Sequence, residues 1–411
     1  MKILILSDGF PLEEEGGASI VAFNMAKGLV EKGEEVLVFT TTKNKNSEGE
    51  SIYDDLRIMK VFSNYNERWR AYISIYNYLV LKKLKKIIAE FKPDVIHAHN
   101  IHIGISYGAL KIAKRSGAKV FITMHDVMSF SYGKLRTKRY LKTAAEGKPD
   151  YRVSFWDNLK MAKKRFNPWR NFLIRKYLRY ADKIIAVSAA LKEALEQNGI
   201  NNVAVIKNGI DFRKFQNLEG KDEARLKFQV SDNEKTILFG GRPSAAKGVK
   251  QLFEALKSIK DKCFKVIIFG ENEKRKEEIK EEAKRKGILE KIIFLGKVPN
   301  KEIKDIYKKA DLLVVPSVCF DSFPTVILEA MATGIPVIAT VFGGAKEMVL
   351  DGKTGFIVNP FKTKELAEKI EEVLLDEEKA KKFGEEGKKR AEKEFNSDNW
   401  IEDISGIYRR F

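Results

Sequence analysis

"DSFPTVILEAMATGIPVIAT", Asp321 to Thr340, sets a nearly all-apolar helix directly ahead of a strand. Pro324 suits the first helical position, where a missing N–H costs nothing, and Gly334 with Pro336 supplies the stop, so a helix is expected over roughly 324–333. Its residues Val326, Ile327, Leu328, Ala330 and Met331 are apolar on nearly every side, the pattern of a helix buried all round. Glu329 stands alone among them and needs hydrogen-bond partners, because an unpaired buried carboxylate is costly. Asp321 precedes the helix start, where orphan N–H groups favour anions and polar ligands. At about 1.5 Å of rise per residue the two acids lie on the order of 10 Å apart, a spacing that suits a polyhydroxylated ligand. The residues alone also allow a plainer arrangement, with Asp321 capping the helix and Glu329 paired to a buried Lys or Arg.

The same alternation of short apolar strands and helices extends in both directions and argues for parallel sheets covered by helices. Strands are expected over 2–7, 35–40, 94–97, 119–124, 183–187 and 203–206 in the first half. The second half offers 236–239, 265–269, 291–295, 312–315, 336–339 and 355–358. Each half reads as a doubly wound, Rossmann-like α/β unit, and the expectation is two such domains facing across a cleft. The polar stretch 211–235 separates them, with a linker near Asp211 to Phe215. In such sheets, ligands bind beyond the carboxyl ends of the strands.

A chain of 411 residues with 44% hydrophobic content is globular and long enough for two cores. No run approaches the roughly 18 apolar residues of a membrane span, and "MKILILSDGF" carries a short apolar run where a signal peptide has a longer one; a cytoplasmic protein is expected. Cys263 and Cys319 lack metal-ligand spacing, so neither a disulfide framework nor a metal site is expected. The net charge of +19 is concentrated: residues 134–179 hold fifteen Lys and Arg against three acids. Aromatic residues interleave this segment, and Trp156, Lys163, Lys164, Arg165, Trp169 and Arg170 read as a surface for a polyanion such as anionic lipid headgroups, nucleic acid or acidic glycans. A solvated helical face would give a similar pattern. "EKRKEEIKEEAKRKG" reads as an exposed helix laced with ion pairs.

Residues just past the expected strand ends are the candidates for chemistry. Gly16-Gly17 opens a helix and lets backbone N–H groups approach a phosphate closely, although the spacing is not GxGxxG. Three of the four histidines, His97, His99 and His125, fall at or just past strand ends, and His125-Asp126 suits a catalytic or sugar-binding role. In "FGGRPSAAKGVKQL", Arg242 and Lys247 follow Gly241 in a strand-to-helix loop, where a cation pair neutralises a diphosphate and the charge that grows as it leaves. Gly270 in "FGEN", Lys297-Val298 in "LGKV" and Gly343-Gly344 are turns by themselves and site residues by association.

Taken together, these motifs resemble those of retaining glycosyltransferases of the GT-B fold, the family-four group. That family embeds two glutamates, with seven residues between them, in a "GFP…EAMA.G.PVIA" context. The match runs from Phe323 to Ala339, with Asp321 for the first Glu and Ser322 for the usual Gly. It extends through Gly16-Gly17, His125-Asp126, "NGID" at 208–211, Gly241-Arg242, Lys247-Gly248, "GKV", "PS" at 316–317 and "DGKTGF", and so covers essentially the whole chain.

The resemblance implies roles. Glu329 would bind the nucleotide ribose, while Asp321, one methylene shorter than Glu, and the loop Ser322-Phe323-Pro324-Thr325 would hold the donor sugar. Arg242 and Lys247 would grip the diphosphate with Gly241, Gly270 and the Gly16-Gly17 loop, His125 would sit near the sugar, and backbone groups near Lys297-Val298 would contact the base. It further implies an acceptor-binding domain over 1–213, a donor-binding domain over 214–395, and a C-terminal helix over 396–411 crossing back. The expected activity is metal-independent transfer of a hexose, with retention, from a nucleotide diphosphate sugar as co-substrate to a glycan or lipid-linked acceptor. No further cofactor and no nucleic-acid partner is expected, and the enzyme is expected to lie in the cytoplasm, peripheral on the inner face of the membrane at an anionic surface. The rival readings are a non-catalytic basic module that binds nucleic acid or membrane through residues 134–179, and a sugar phosphorylase on the same fold.

Overall fold

The computed structural model describes residues 1–11, 16–215, 231, 234–259, 263–298, 300–307 and 309–411. Most of the expected interdomain stretch, 216–230 and 232–233, therefore lies outside the described residues. The chain forms two compact units. The first contains Met1–Thr137, Asp150–Asn208 and Asp398–Phe411; the second contains Lys138–Pro149 and Gly209–Ser397. The boundary thus falls at 208/209, and residues 138–149 of the basic segment belong with the second unit.

The first unit carries strands β1 (Lys2–Ser7), β2 (Glu35–Thr42), β3 (Gly49–Tyr53), β4 (Leu56–Phe62), β5 (Val95–His99), β6 (Lys119–Met124), β7 (Lys183–Ala186) and β8 (Val203–Val205). They form one sheet in the order β3-β4-β2-β1-β5-β6-β7-β8, parallel except for the β3–β4 hairpin. β1 is buried along nearly its whole length, as a strand covered on both faces must be, which is why it reads as an unbroken apolar run. Ile3 and Ile5 pack with Met25 and Leu29 of the helix Gly17–Glu31, and with Ile401, Ile404 and Tyr408 of the C-terminal helix Ser397–Arg410. β3 and β4 were not expected from the sequence. Their turn is Asp54-Asp55, both left-handed (φ 49° and 62°), the backbone of a tight two-residue hairpin written without the usual Asn-Gly.

The second unit carries β9 (Lys235–Phe239), β10 (Phe264–Ile268), β11 (Ile292–Phe294), β12 (Leu312–Val315), β13 (Val337–Thr340) and β14 (Gly355–Val358), all parallel, in the order β11-β10-β9-β12-β13-β14. In both sheets the order reverses beside one strand, between β1 and β5 and between β9 and β12. These are the switch points where loops diverge above and below the sheet and leave room for a ligand.

The helix expected over 324–333 spans Thr325–Thr333, with Pro324 as its N-cap residue and Gly334 as its left-handed C-cap. Ile327, Leu328, Ala330, Met331 and Ala332 are buried, each large side chain contributing about 1.5–3 kcal/mol. The expectation of burial all round is corrected on one face: Thr325, Glu329 and Thr333, at i, i+4 and i+8, form a partly exposed stripe.

Candidate functional site

In the second unit the site grows from the β9/β12 switch point. After β9 the chain turns through Gly241, the short 3-10 turn Ala245–Lys247 and Gly248 into the helix Val249–Lys257. Gly248 is left-handed (φ +81°), and any Cβ there would overlap the carbonyl of Pro316, so the loops after β9 and β12 are held backbone to backbone. The Val318 N–H donates to Ala246 O at 3.0 Å across the same seam. This contact brings the Lys247 ammonium onto the Asp321 carboxylate as a salt bridge, and Ser317 Oγ donates to the same Oδ2 at 2.9 Å. Asp321 is thus paired with Lys247, and the N-cap residue of the following helix is Pro324. Its backbone is fixed as well: the Gly344 N–H donates to its carbonyl at 2.8 Å, and Gly343 (φ +97°) lies so close that no side chain fits.

Arg242, in the same loop as Lys247, is exposed, its side chain next to Gly270 at the end of β10. The Gly270 N–H bonds Gly296 O at 2.6 Å, and the Gly296 N–H donates to Glu271 at 2.9 Å, which ties the β10 and β11 ends together. Lys297 and Val298 follow on that rim, Lys297 exposed and Val298 partly so. Ser322, Phe323 and Pro324 are buried, and Phe323 meets the edge of Phe395 at 5.8 Å. Thr325 lies at the foot of the exposed stripe. Farther along it, Glu329 accepts a hydrogen bond from Tyr307 Oη at 2.6 Å, not from a Lys or Arg. Burial raises the Glu329 carboxyl above its ordinary range and the hydrogen bond opposes that; burial, with the adjacent carboxylate, also pushes the Tyr307 hydroxyl up, so Tyr307 is the donor.

In the first unit the corresponding switch point, β1/β5, holds Asp8, which the sequence reading passed over. Its carboxylate accepts N–H bonds from Ile103, Gly104 and Ile105 at 2.5, 2.8 and 2.7 Å and pins the loop after β5. Burial raises its pKa to about 7 against those three donors. A pocket of about 300 Å³ opens beside Asp8, lined with polar groups including Thr41, Asn44, Ser63, Asn64 and Glu67. Gly16 and Gly17 begin the helix Gly17–Glu31 as expected, and the Gly16 N–H donates to Ser19 Oγ.

All four histidines gather between β5, β6 and the loops after them. His97 is fully buried between the hydroxyls of Tyr408 and Thr123, a structural role. His125 is partly exposed, with Nε2 2.9 Å from His99 Nδ1, and burial lowers its pKa to about 4. His102, which the sequence placed in no context, lies 3.8 Å from Asp126.

The basic, aromatic segment does not form one continuous surface. Tyr140 packs inside the second unit against Phe320 and Phe342, and Tyr151 is buried. Arg170 is corrected: it is 3% exposed, its guanidinium donating to Met128 O and lying 4.7 Å from the Tyr132 ring, so it braces the interior and offers no charge to a surface. Trp156 and Trp169 are 73% and 67% exposed, Lys163 and Lys164 are exposed, and Arg165 pairs with Glu67 at 3.6 Å. That pair joins the segment to a second one, 67–79, whose Trp69, Tyr72 and Tyr76 are also exposed. The distance in sequence hid this half of the patch.

Family models match most of the chain, Glycosyltransferase Family 4 over residues 15–214 and Glycosyl transferases group 1 over 220–390. An uncharacterized glycosyltransferase of Methanocaldococcus jannaschii is 27% identical across 100% of this chain and 98% of its own length. Among solved structures, sucrose-phosphate synthase from Thermosynechococcus elongatus superposes with a TM-score of 0.79 at 20% identity, covering 100% of this chain and 98% of its own. The Anabaena protein HepE, solved with UDP and glucose, gives 0.74 at 21% identity over the full length of both chains. With two parallel α/β units and both family models matched in order, the chain belongs to the group 1 glycosyltransferases and has the GT-B fold.

Proposed function

We propose that the second unit binds a nucleoside diphosphate sugar and that its hexose passes, with retention and without a metal, to an acceptor held by the first unit. The observation that carries the donor half is the group at the β9/β12 switch point: Lys247 paired with Asp321, Arg242 exposed in the same loop, and Glu329 on the stripe beyond. Two cations suit a diphosphate, and they stabilise the negative charge that grows on it as the glycosidic bond breaks. Among the described residues, no three His, Cys, Asp or Glu side chains converge as a metal-binding set, so the cations are assigned the electrostatic work. In the reaction the acceptor oxygen bonds to the anomeric carbon on the face the diphosphate leaves, and its proton passes to the departing phosphate oxygen. No covalent enzyme intermediate and no further cofactor is required.

The lipid-linked acceptor is favoured over a soluble glycan by one relationship within the first unit. Glu67 lines the polar pocket beside Asp8 and pairs with Arg165 of the aromatic, basic patch. A headgroup in the pocket would thus belong to a lipid whose bilayer meets Trp69, Trp156 and Lys163. On this reading the enzyme works in the cytoplasm, peripheral at an anionic membrane face, and the patch serves lipid and not nucleic acid. A panel of UDP-, GDP- and ADP-sugars, assayed by thermal shift and by sugar release with and without EDTA, tests the donor half. A sugar nucleotide that raises Tm and is turned over in EDTA is the expected result; absence of any shift across the panel, or turnover restored only by a divalent cation, contradicts it.

A further inference from the structure

His97, His99 and His125 form a column of near-parallel rings, with centroids 4.7 Å apart for the first pair and 5.2 Å for the second, both at 19°. His97 bonds a hydroxyl at each nitrogen, and a hydroxyl donates or accepts as required, so either tautomer suits it. His99 has no such freedom. Its Nδ1 lies 2.9 Å from Nε2 of His125, while its own Nε2 is buried and, among the described residues, has no hydrogen-bond partner.

Burial holds both rings neutral, lowering His125 to about 4 and His99 well below its ordinary value. Two neutral imidazole nitrogens at 2.9 Å share a single proton, and there are two ways to place it. If His125 donates from Nε2, His99 must carry its proton on Nε2, a buried N–H with no acceptor. If His99 donates from Nδ1, its Nε2 keeps only an unused lone pair. Folded proteins avoid the orphaned N–H more strictly than the unused acceptor.

We propose that His99 is a positioning residue that fixes the tautomer of His125, donating Nδ1–H to Nε2 of His125 so that His125 presents its own Nδ1–H as a donor. Among the described residues, Nδ1 of His125 has no protein partner, so this N–H is offered to a ligand oxygen, a hydroxyl or a carbonyl. In this state His125 is a hydrogen-bond donor at Nδ1 and has no lone pair there with which to act as a base. Only the kinetic consequence rests on the proposed role of His125 beside the transferred sugar; the tautomer does not.

The test is long-range ¹H–¹⁵N correlation on the histidine side chains of the full chain, with His99→Asn and His99→Phe. The Asn side-chain nitrogen occupies the place of Nδ1 and also donates, whereas Phe keeps the stacking and removes the donor. The expected result is a protonated Nδ1 and a bare Nε2 at His125 in the parent and in His99→Asn, with a shift toward Nε2–H in His99→Phe. Donor-sugar hydrolysis should fall about tenfold in kcat in His99→Phe and recover to within about twofold in His99→Asn, the scale of one misplaced hydrogen bond. Nε2–H at His125 in the parent overturns the proposal by itself, whether or not the variants fold. An unchanged His125 tautomer in folded His99→Phe overturns it too. The expected tautomers with unchanged kcat would uphold the positioning and refute only the role given to His125.

Discussion

The Tyr307 hydroxyl donates to Oε2 of Glu329 across 2.6 Å, from the helix Asn300–Tyr307 to the helix Thr325–Thr333. Among the described residues, one carboxylate oxygen is committed to the protein and the other is not, while the stripe Thr325, Glu329 and Thr333 stays partly exposed. This is a charged acceptor oriented by a neutral donor, an arrangement suited to ribose hydroxyls. Glu329→Gln should weaken nucleotide binding by roughly 2 kcal/mol, on the scale of a hydrogen bond to a charged group. Tyr307→Phe should cost less, because the acceptor remains and only its orientation is lost. Titration calorimetry with UDP, GDP and ADP checks both, and an unchanged Kd in folded Glu329→Gln would remove the ribose role.

Lys247 and Asp321 are each only slightly exposed, so removing one partner leaves the other poorly solvated. Lys247→Ala should lower stability by about 1–3 kcal/mol, the cost of stranding a buried polar group. The double change Lys247→Ala/Asp321→Ala should recover much of that loss without recovering turnover. Arg242→Ala, at an exposed position, should leave stability nearly unchanged and still lower kcat, since charge grows on the leaving diphosphate. Denaturation midpoints together with steady-state kinetics separate the two roles; a full return of kcat in the double variant would show that the pair is structural alone.

Much of this was legible because each deciding feature was local. The apolar run of β1, the Pro324 to Gly334 helix and the loop that carries Arg242 and Lys247 declare themselves within a few residues. What was missed depends on partners distant in sequence or on turn chemistry in disguise. Asp8 gains its role from the backbone of Ile103–Ile105, Tyr307 from Glu329, and Arg170 was read as surface because its Tyr132 platform lies far away in the chain. The β3–β4 hairpin was hidden because Asp54-Asp55 takes a left-handed turn that Asn-Gly normally announces.

The buried histidines make the first unit acid-sensitive. Burial lowers His97 to about 3, His102 and His125 to about 4, and His99 well below its ordinary value. Between pH 4 and their ordinary value of 6.5, an unfolded chain takes up protons on all four that the folded unit refuses. Asp8 acts in the opposite sense, because at about 7 the folded state holds a proton that an unfolded Asp releases. Four groups outweigh one, so the unfolded state binds more protons and stability must fall as pH drops from 6.5 toward 4. His102 and His125 alone account for up to about 3 kcal/mol apiece at pH 4, at about 1.4 kcal/mol per pH unit. All four tryptophans belong to the first unit, so urea unfolding followed by tryptophan fluorescence at pH 6.5 and 4.5 reports on it directly. A midpoint that rises on acidification would show that the histidines are not neutral in the fold.

The aromatic, basic patch should bind an anionic bilayer. Trp69, Trp156 and Trp169 are exposed from two segments, with Phe155 and Phe172 beside the latter two in sequence, and Lys163 and Lys164 project nearby. Among the described residues, no helix is long and apolar enough to cross a membrane. Aromatic rings enter the headgroup layer, and each cation near the surface adds about 1 kcal/mol, an attraction that salt screens within about 10 Å at 0.1 M. Arg170 adds nothing to this attraction because its charge is buried. The protein should co-sediment with vesicles containing anionic lipid and not with neutral ones, and most of that binding should be lost in high salt. Lys163→Glu with Lys164→Glu should weaken it strongly while leaving hydrolysis of a soluble nucleotide sugar unchanged. Trp69→Ser with Trp156→Ser should instead remove the part that survives high salt, because that part is hydrophobic. Equal binding to both kinds of vesicle, or none to either, would mean that the patch faces a soluble polyanion or solvent, and the acceptor would then be sought among soluble glycans.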